Sequence, residues 1–399
     1  MSTTLADVFH TFGAEYLDAH GVSAPQAQVM RAVLACRTPA LGGHVVECAD
    51  CGHRDYVYYS CRNRHCPTCQ TRAKDDWTRR RVAELLPVPY AHLVFTLPHA
   101  LNGLAAGHDR WVYDTLMHTV ATTLHGFAAN PRWLGAEPAF TAALHTWTQD
   151  LRRHVHVHVL IACGGLDAEG HWVEPPRNGR FLFPVHALSK VFRAQFLDAL
   201  DTAHRTGQLP RDPVAAPEDY AARRRQLLKH DWVVYAKTPL GGPASVLDYL
   251  ARYTHRTALA NERIVAIRDG DVLLRVRADD SGGQRVIRLP GPVLIGRFLQ
   301  HVLPPGFKRI RHFGVLSSAH KRDRLAAARN ALKVPAPSPP ALEAAAAFMQ
   351  RVALIDLERC PCCGQRSLRI VAILRPQRTR QPPPPPALVS PPAGRGPPV

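Results

Sequence analysis

Apolar and polar positions alternate most strictly between His154 and Gly165, in the run HVHVHVLIACGG. A period of two predicts a strand with His154, His156 and His158 on one face and Val155, Val157 and Val159 on the other. The valines suit a core, which leaves imidazoles that point the same way and can share a divalent cation. HLVFTLPHAL reads as a buried strand ending at Pro98, ALHTWTQD as a second strand leading into the histidine strand, and WVVYAK as a third. NERIVAIRDGDVLLRVRADDSGGQRVIRLP alternates through turns at Asp269-Gly270 and Gly282-Gly283, predicting hairpin strands with Arg275, Arg277 and Arg285 on a basic side. Helical spacing marks two short helices before residue 35, a stretch over 109–128, and an amphipathic helix within 181–205 with Phe192, Phe196 and Leu200 in its apolar stripe. The two N-terminal helices are expected to pack under the cysteine module that follows them. In DYLARYTHR, Tyr249 and Tyr253 stand four residues apart on one helix face, with Arg252 and Arg256 beside them.

Cysteine spacing adds a metal module to this outline. Six of the ten cysteines lie between Cys36 and Cys69, which in a reducing compartment reads as zinc rather than disulfides. The knuckles Cys48-x2-Cys51 and Cys66-x2-Cys69 supply four thiolates for one closed tetrahedral zinc. Cys36, His44, Cys61 and His65 alternate in order with that set and give a second, cross-braced zinc, with His53 a possible substitute ligand. Cys360-x2-Cys363 reads as a lone knuckle without a second half.

Charge then points to a partner. Fifty Lys plus Arg against 32 Asp plus Glu leave +18, spread through the whole chain, so a polyanion is expected. No long apolar run argues for a membrane, and nucleic acid is the better partner. Arg62 and Arg64 within the cysteine module are expected to meet phosphates, as are Arg252 and Arg256 beside the tyrosines and Lys308, Arg309 and Arg311 in FLQHVLPPGFKRIRHFG. The N-terminus shows no charged start followed by an apolar core, so a cytoplasmic, nucleoid-associated protein is expected.

At this point the chain resembles the HUH nucleases, and within them the two-tyrosine rolling-circle transposases of bacterial insertion sequences, the insertion-sequence ninety-one family. His156-Val157-His158 matches the HUH motif and Tyr249-x3-Tyr253 the nucleophile pair. CRNRHCPTCQ, VFTLPHAL, LHTWTQDL, WVVYAKTP, YLARYTHR and HVLPPGFKRIRHFG also match, over about Cys36 to His320. Val155 stands where the family often has proline. The resemblance implies an α+β fold with an HUH core of antiparallel sheet and flanking helices, preceded by a zinc-binding domain. By position it makes Gln149, seven residues before His156, the third ligand of a catalytic Mg2+ or Mn2+, with His154 as rival. It also implies cleavage and rejoining of single-stranded DNA at transposon ends through a 5′-phosphotyrosine, with self-association of the protein possible.

The expected organisation is a zinc-binding, DNA-docking part over 1–85, a catalytic part over 86–330, a helix and lone knuckle over 331–374, and a disordered Pro-rich tail over 375–399. A replication initiator using the same chemistry and a zinc-dependent DNA-binding regulator without catalysis are the competing functions.

Overall fold

The computed structural model describes residues 3–176, 183–209, 217–240, 246, 258–278, 282–337 and 343–377. At its centre lies an antiparallel sheet of β3 (Tyr90–Thr96), β4 (Glu137–Trp147), β5 (Arg153–Leu166), β7 (Val234–Leu240) and β11 (Ile310–Gly314), in the order β11-β4-β5-β3-β7. The short β6 (Trp172–Val173) pairs with the end of β5. β5 is the histidine strand, and the predicted alternation decides how it sits. Val155, Val157 and Val159 join Phe95, Phe140 and Leu144 in a core closed by the helices α5 (Asp109–Ala129) and α6 (Val185–Arg205). Phe192 and Phe196 of the predicted α6 stripe are fully buried there, each worth roughly 2–3 kcal/mol of burial. Phe192 meets Phe95 edge to face at 5.2 Å. The other face of the sheet carries the imidazoles. At its far end Leu160 and Ala162 are covered instead by Leu325 and Ala328 of the helix Lys321–Ala331.

Gly314 fixes the outer edge of this sheet. It holds φ +59, and a Cβ there would stand 1.7 Å from the Pro138 carbonyl oxygen, so only glycine lets β11 close onto the start of β4.

A second, three-stranded sheet, β8 (Ile264–Arg268), β9 (Asp271–Arg277) and β10 (Gln284–Pro290), realises the predicted hairpins. Val272, Leu274 and Val276 alternate inward from β9. They pack with the helix Gly291–Leu299 and with α1 (Leu5–Ala19) and α2 (Ala24–Ala35). Both N-terminal helices begin with capping boxes, Thr4 with Asp7 and Ser23 with Gln26. As expected they pack against the cysteine module, with Cys66 inside the shared core and Cys36, Cys61 and Cys69 at its border, and the same core takes in the helix Gly291–Leu299 and the second sheet.

The third sheet joins the two ends of the chain. β1 (Gly43–Cys48) pairs with β2 (Arg54–Tyr58) on one side and with β12 (Leu368–Leu374) on the other. β12 was not predicted. The helix expected within 331–374 is Ala345–Ala353. No helix among the described residues is long and apolar enough to cross a membrane. The Pro-rich tail beyond Gln377 lies outside the described residues.

Candidate metal centres and active-site cleft

Register brings the third imidazole to the HUH pair. His145 on β4 stands directly opposite His156 on β5, and Ala143 opposite His158. The three rings of His145, His156 and His158 then offer nitrogens within 4.8 Å of one another. His156 and His145 are buried. The Nδ1–H of His156 donates to the His154 carbonyl at 2.8 Å, which fixes the tautomer and leaves Nε2 as the available lone pair. Burial pushes His156 down to about 4, so it is neutral at neutral pH, the state a metal ligand needs.

Two neighbours hold the other rings. His158 Nδ1 lies 3.0 Å from Nε2 of buried His92 on β3, with the rings stacked at 5.2 Å. His145 stacks on Trp147 at 4.7 Å. Both His92 and His145 are functional candidates that the sequence reading passed over. Each is on an alternating strand, and pairing the three predicted strands would have placed their rings on the histidine face.

Gln149 lines the same cleft as these three histidines, but from the turn beyond the strand. β4 ends at Trp147, so Gln149 falls in the turn to β5, exposed, with its carbonyl held by the Arg263 guanidinium. His145, facing His156 across the ladder, is a further candidate for the third ligand beside Gln149. His154, the rival, pairs with His99 instead, Nδ1 to Nε2 at 3.0 Å.

The turn that joins the two ligand strands is clamped from the segments that flank the second sheet. Besides Arg263, Arg297 donates to the Asp150 carbonyl at 3.0 Å, and Gln300 and His301 donate to the Leu151 carbonyl at 2.7 and 3.0 Å. Leu151 is held at φ +63 by this grip. Nδ1 of His301 accepts from the Thr146 hydroxyl at 3.0 Å. Burial pushes His301 down to about 3 from the ordinary 6.5. Between those values the unfolded chain binds a proton that the folded chain refuses. His301 therefore contributes stability that is present above pH 6.5 and lost as pH falls toward about 3. The loss is at most about 1.4 kcal/mol per pH unit. Thermal melts at descending pH should show a shallower decline in His301→Gln than in the unsubstituted chain. Equal declines would remove His301 as the titrating group.

In front of the three imidazoles opens a cleft of about 510 Å³ lined by Trp147, Asp150, Arg152, Val276, Arg277 and Arg285 among others. Arg277 and Arg285, on facing strands of the second sheet, bring positive charge to the mouth of the cleft. Tyr249, Tyr253, Arg252 and Arg256 lie outside the described residues.

Of the basic residues expected on DNA, Lys308, Arg62 and Arg64 are exposed. Arg64 donates to the carbonyls of Phe307 at 2.7 Å and Pro304 at 3.2 Å, and so ties the cysteine module to the closing motif. Arg311 pairs with Asp114 and lies over the Phe307 ring. Arg309, pushed down to about 10 by burial, sits in the same region. Arg64 and Arg311 thus make contacts within the protein that a count of charges does not reveal.

The cysteines sort differently from their order in the chain. Cys36, Cys61, Cys66 and Cys69 form one group of four thiols, with Cys36 and Cys61 at 3.4 and 3.6 Å from Cys69. Cys48 and Cys51 group with Cys360 and Cys363. The expected set of Cys48, Cys51, Cys66 and Cys69 is not brought together, and neither is the cross-braced set. β1 carries Cys48 to the tip of a hairpin, roughly 20 Å from its base at ~3.3 Å per residue, and β2 returns the chain so that Cys61 arrives beside Cys36. His44 packs against Tyr59, and His65 Nε2 faces the backbone N–H of Leu303. His53 gives its carbonyl to the Cys48 N–H.

The family model described as "Transposase zinc-binding domain" matches residues 8–97, and that described as "Putative transposase" matches 139–324. "Putative transposase y4qJ" of Sinorhizobium fredii (strain NBRC 101917 / NGR234) is 42% identical over 379 residues, covering 92% of this chain and 95% of that protein. The transposase for insertion sequence element IS801 of Pseudomonas savastanoi pv. phaseolicola is 28% identical, covering 90% of this chain and 87% of its own length. Among solved structures, the conjugative relaxase TrwC in complex with oriT DNA matches at 13% identity, covering 64% of this chain and 99% of its own, with a TM-score of 0.25 too low to add to the family finding. The relatedness spans nearly the whole length of both curated transposases, and the chain belongs to the insertion-sequence ninety-one (IS91) family of transposases.

Proposed function

We propose that this transposase cuts and rejoins single-stranded DNA through a 5′-phosphotyrosine, with a divalent cation held by His145, His156 and His158. The observation that supports the reading most is the convergence of three imidazoles at the floor of an arginine-rimmed cleft. Neutral nitrogen donors suit a borderline ion, so of the two expected cations the set favours Mn2+ over Mg2+, which prefers oxygen ligands. Such a cation, when bound, supplies Lewis acidity toward the scissile phosphate.

The chain's own residues do the rest. Arg277 and Arg285 seat the backbone phosphates of the strand, and the clamped turn keeps β4 and β5 in register so that the rings stay convergent. The phenolic oxygen of Tyr249 or Tyr253 forms a bond to phosphorus while the bond to the 3′ oxygen breaks. The phenol's proton passes to solvent, and the departing oxygen takes one up as a 3′-OH. The phosphotyrosine retains the energy of the broken diester, so a 3′-OH can reverse the step on another strand. Two tyrosines allow one to hold an end while the other cuts the next. In the N-terminal part, Cys36, Cys61, Cys66 and Cys69 fit a structural zinc, since four thiolates leave no open coordination position.

The test is a labelled single strand carrying a transposon end, incubated with the full chain and Mn2+. The expected product is a protease-sensitive shifted band, lost in the Tyr249→Phe, Tyr253→Phe double variant, which removes the attacking oxygens and keeps the rings. An adduct that persists in the double variant moves the nucleophile elsewhere. Absence of any adduct with the unsubstituted chain would favour a regulator without catalysis.

A further inference from the structure

The C-terminal knuckle has a partner at the other end of the chain. Cys48 Sγ lies 3.5 Å from Cys363 Sγ, and Cys51 Sγ lies 3.7 Å from Cys360 Sγ. All four sulfurs fall within 4.8 Å of one another. A tetrahedral zinc with bonds of about 2.3 Å sets its sulfurs about 3.8 Å apart, whereas a disulfide requires about 2.05 Å. The spacing is that of thiolates around a shared ion.

The two knuckles are also built alike. Each reads Cys-x-x-Cys-Gly, CADCG over 48–52 and CPCCG over 360–364. In the first, the Gly52 N–H donates to the Cys48 carbonyl at 3.0 Å and the Cys48 N–H to the His53 carbonyl at 2.9 Å. In the second, the Gly364 N–H donates to the Cys360 carbonyl at 2.9 Å and the Cys360 N–H to the Gln365 carbonyl at 2.8 Å. Gly52 and Gly364 hold φ +69 and +77. The same tight turn therefore presents each pair of sulfurs, as the two halves of one tetrahedral site must. The Ser367 hydroxyl, 3.1 Å from Cys48 Sγ, adds a polar partner outside the sulfurs. Cys360 and Cys363 lie beyond both matched family regions, 8–97 and 139–324.

We propose that Cys48, Cys51, Cys360 and Cys363 bind a second structural zinc, which fastens the C-terminal strand β12 onto the N-terminal hairpin. The clamp links residues 315 apart in sequence and closes nearly the whole chain into a loop. It explains why β12 can pair with β1 while leaving Ile370 and Ile373 exposed, at 60% and 67%: the ion, more than apolar burial, holds the strand in place.

Zinc content of the full chain after exhaustive dialysis reads this directly. Two zincs per chain are expected in the unsubstituted protein and one in Cys360→Ser, Cys363→Ser. One is expected again in Cys48→Ser, Cys51→Ser, and still one when all four are replaced, because both pairs serve a single ion. Cys362→Ser, which changes the exposed neighbour outside the group, should retain two. Cobalt substitution gives a second readout, with the thiolate-to-cobalt band falling by half in each pair variant. An unchanged zinc count on replacing Cys360 and Cys363 overturns the proposal, as does a quadruple variant that loses both ions. The single-strand cleavage reading stands or falls separately, since it is scored by adduct formation and not by zinc content.

Discussion

Replacing His145 with alanine is expected to abolish single-strand cleavage as completely as replacing His156 or His158, although it lies outside the HUH motif. The three rings share one point, and His145 faces His156 directly across the β4–β5 ladder. Loss of a residue that only orients a ligand costs about 10–100-fold in metal affinity or activity, and loss of one of three ligands should cost at least the upper end of that range. Each single alanine variant should thus reduce cleavage by about 100-fold or more and weaken Mn2+ binding measured by titration. Binding of the same labelled strand should fall little, because phosphate affinity comes from the arginines at the cleft mouth. Gln149→Ala and His154→Ala are the discriminating controls. Gln149 lies past the strand end and His154 pairs with His99, so both variants should keep Mn2+ binding within a few-fold. If Gln149→Ala matched the histidine variants while His145→Ala left Mn2+ binding intact, the third ligand would belong to the turn and the cluster would be a packed set of core imidazoles.

That contrast shows which parts of the site could be read from the sequence. Alternation is a local property, so β5 and the face its histidines occupy were legible in twelve residues. The amphipathic α6 was legible in its Phe192 and Phe196 stripe for the same reason. Ligand sets are not local. His145 became a candidate only through strand register, and His92 through a diagonal contact across β3 and β5. The cysteines make the same point more sharply. Proximity in sequence suggested that the knuckles at 48–51 and 66–69 share an ion, but a β-hairpin sends successive cysteines to opposite ends. The partner of the first knuckle was visible as a motif at Cys360, and no local rule could join two segments so far apart. Charge was legible in sum and not in detail: Arg64 and Arg311 are engaged by Phe307, Pro304 and Asp114, which only the tertiary contacts reveal.

Substituting Cys66 by serine should have the largest effect on stability of any single change in the chain. Cys66 is fully buried in the core that α1, α2, the helix Gly291–Leu299 and the second sheet build together. Its sulfur is one of the four in the group with Cys36, Cys61 and Cys69. Structural zinc on four cysteines contributes apparent folding free energy of about 10–16 kcal/mol, comparable with or larger than the ~5–15 kcal/mol net stability of a domain. Serine removes one thiolate and leaves a hydroxyl facing three others, so most of that contribution is lost. The expected result is a chain that holds one zinc fewer and melts without the cooperative transition of the unsubstituted protein. A chelator strong enough to strip thiolate-bound zinc should bring the unsubstituted protein to the same state. Cys163→Ser is the comparison, since Cys163 is equally buried but stands on β5 among apolar side chains and in neither thiol group. There the cost should be that of one buried hydroxyl, about 1–3 kcal/mol, with zinc content unchanged. Were Cys66→Ser to melt at the unsubstituted midpoint with its zinc intact, the four thiols would be a packing cluster. The stability of the N-terminal part would then have to come from the shared apolar core alone.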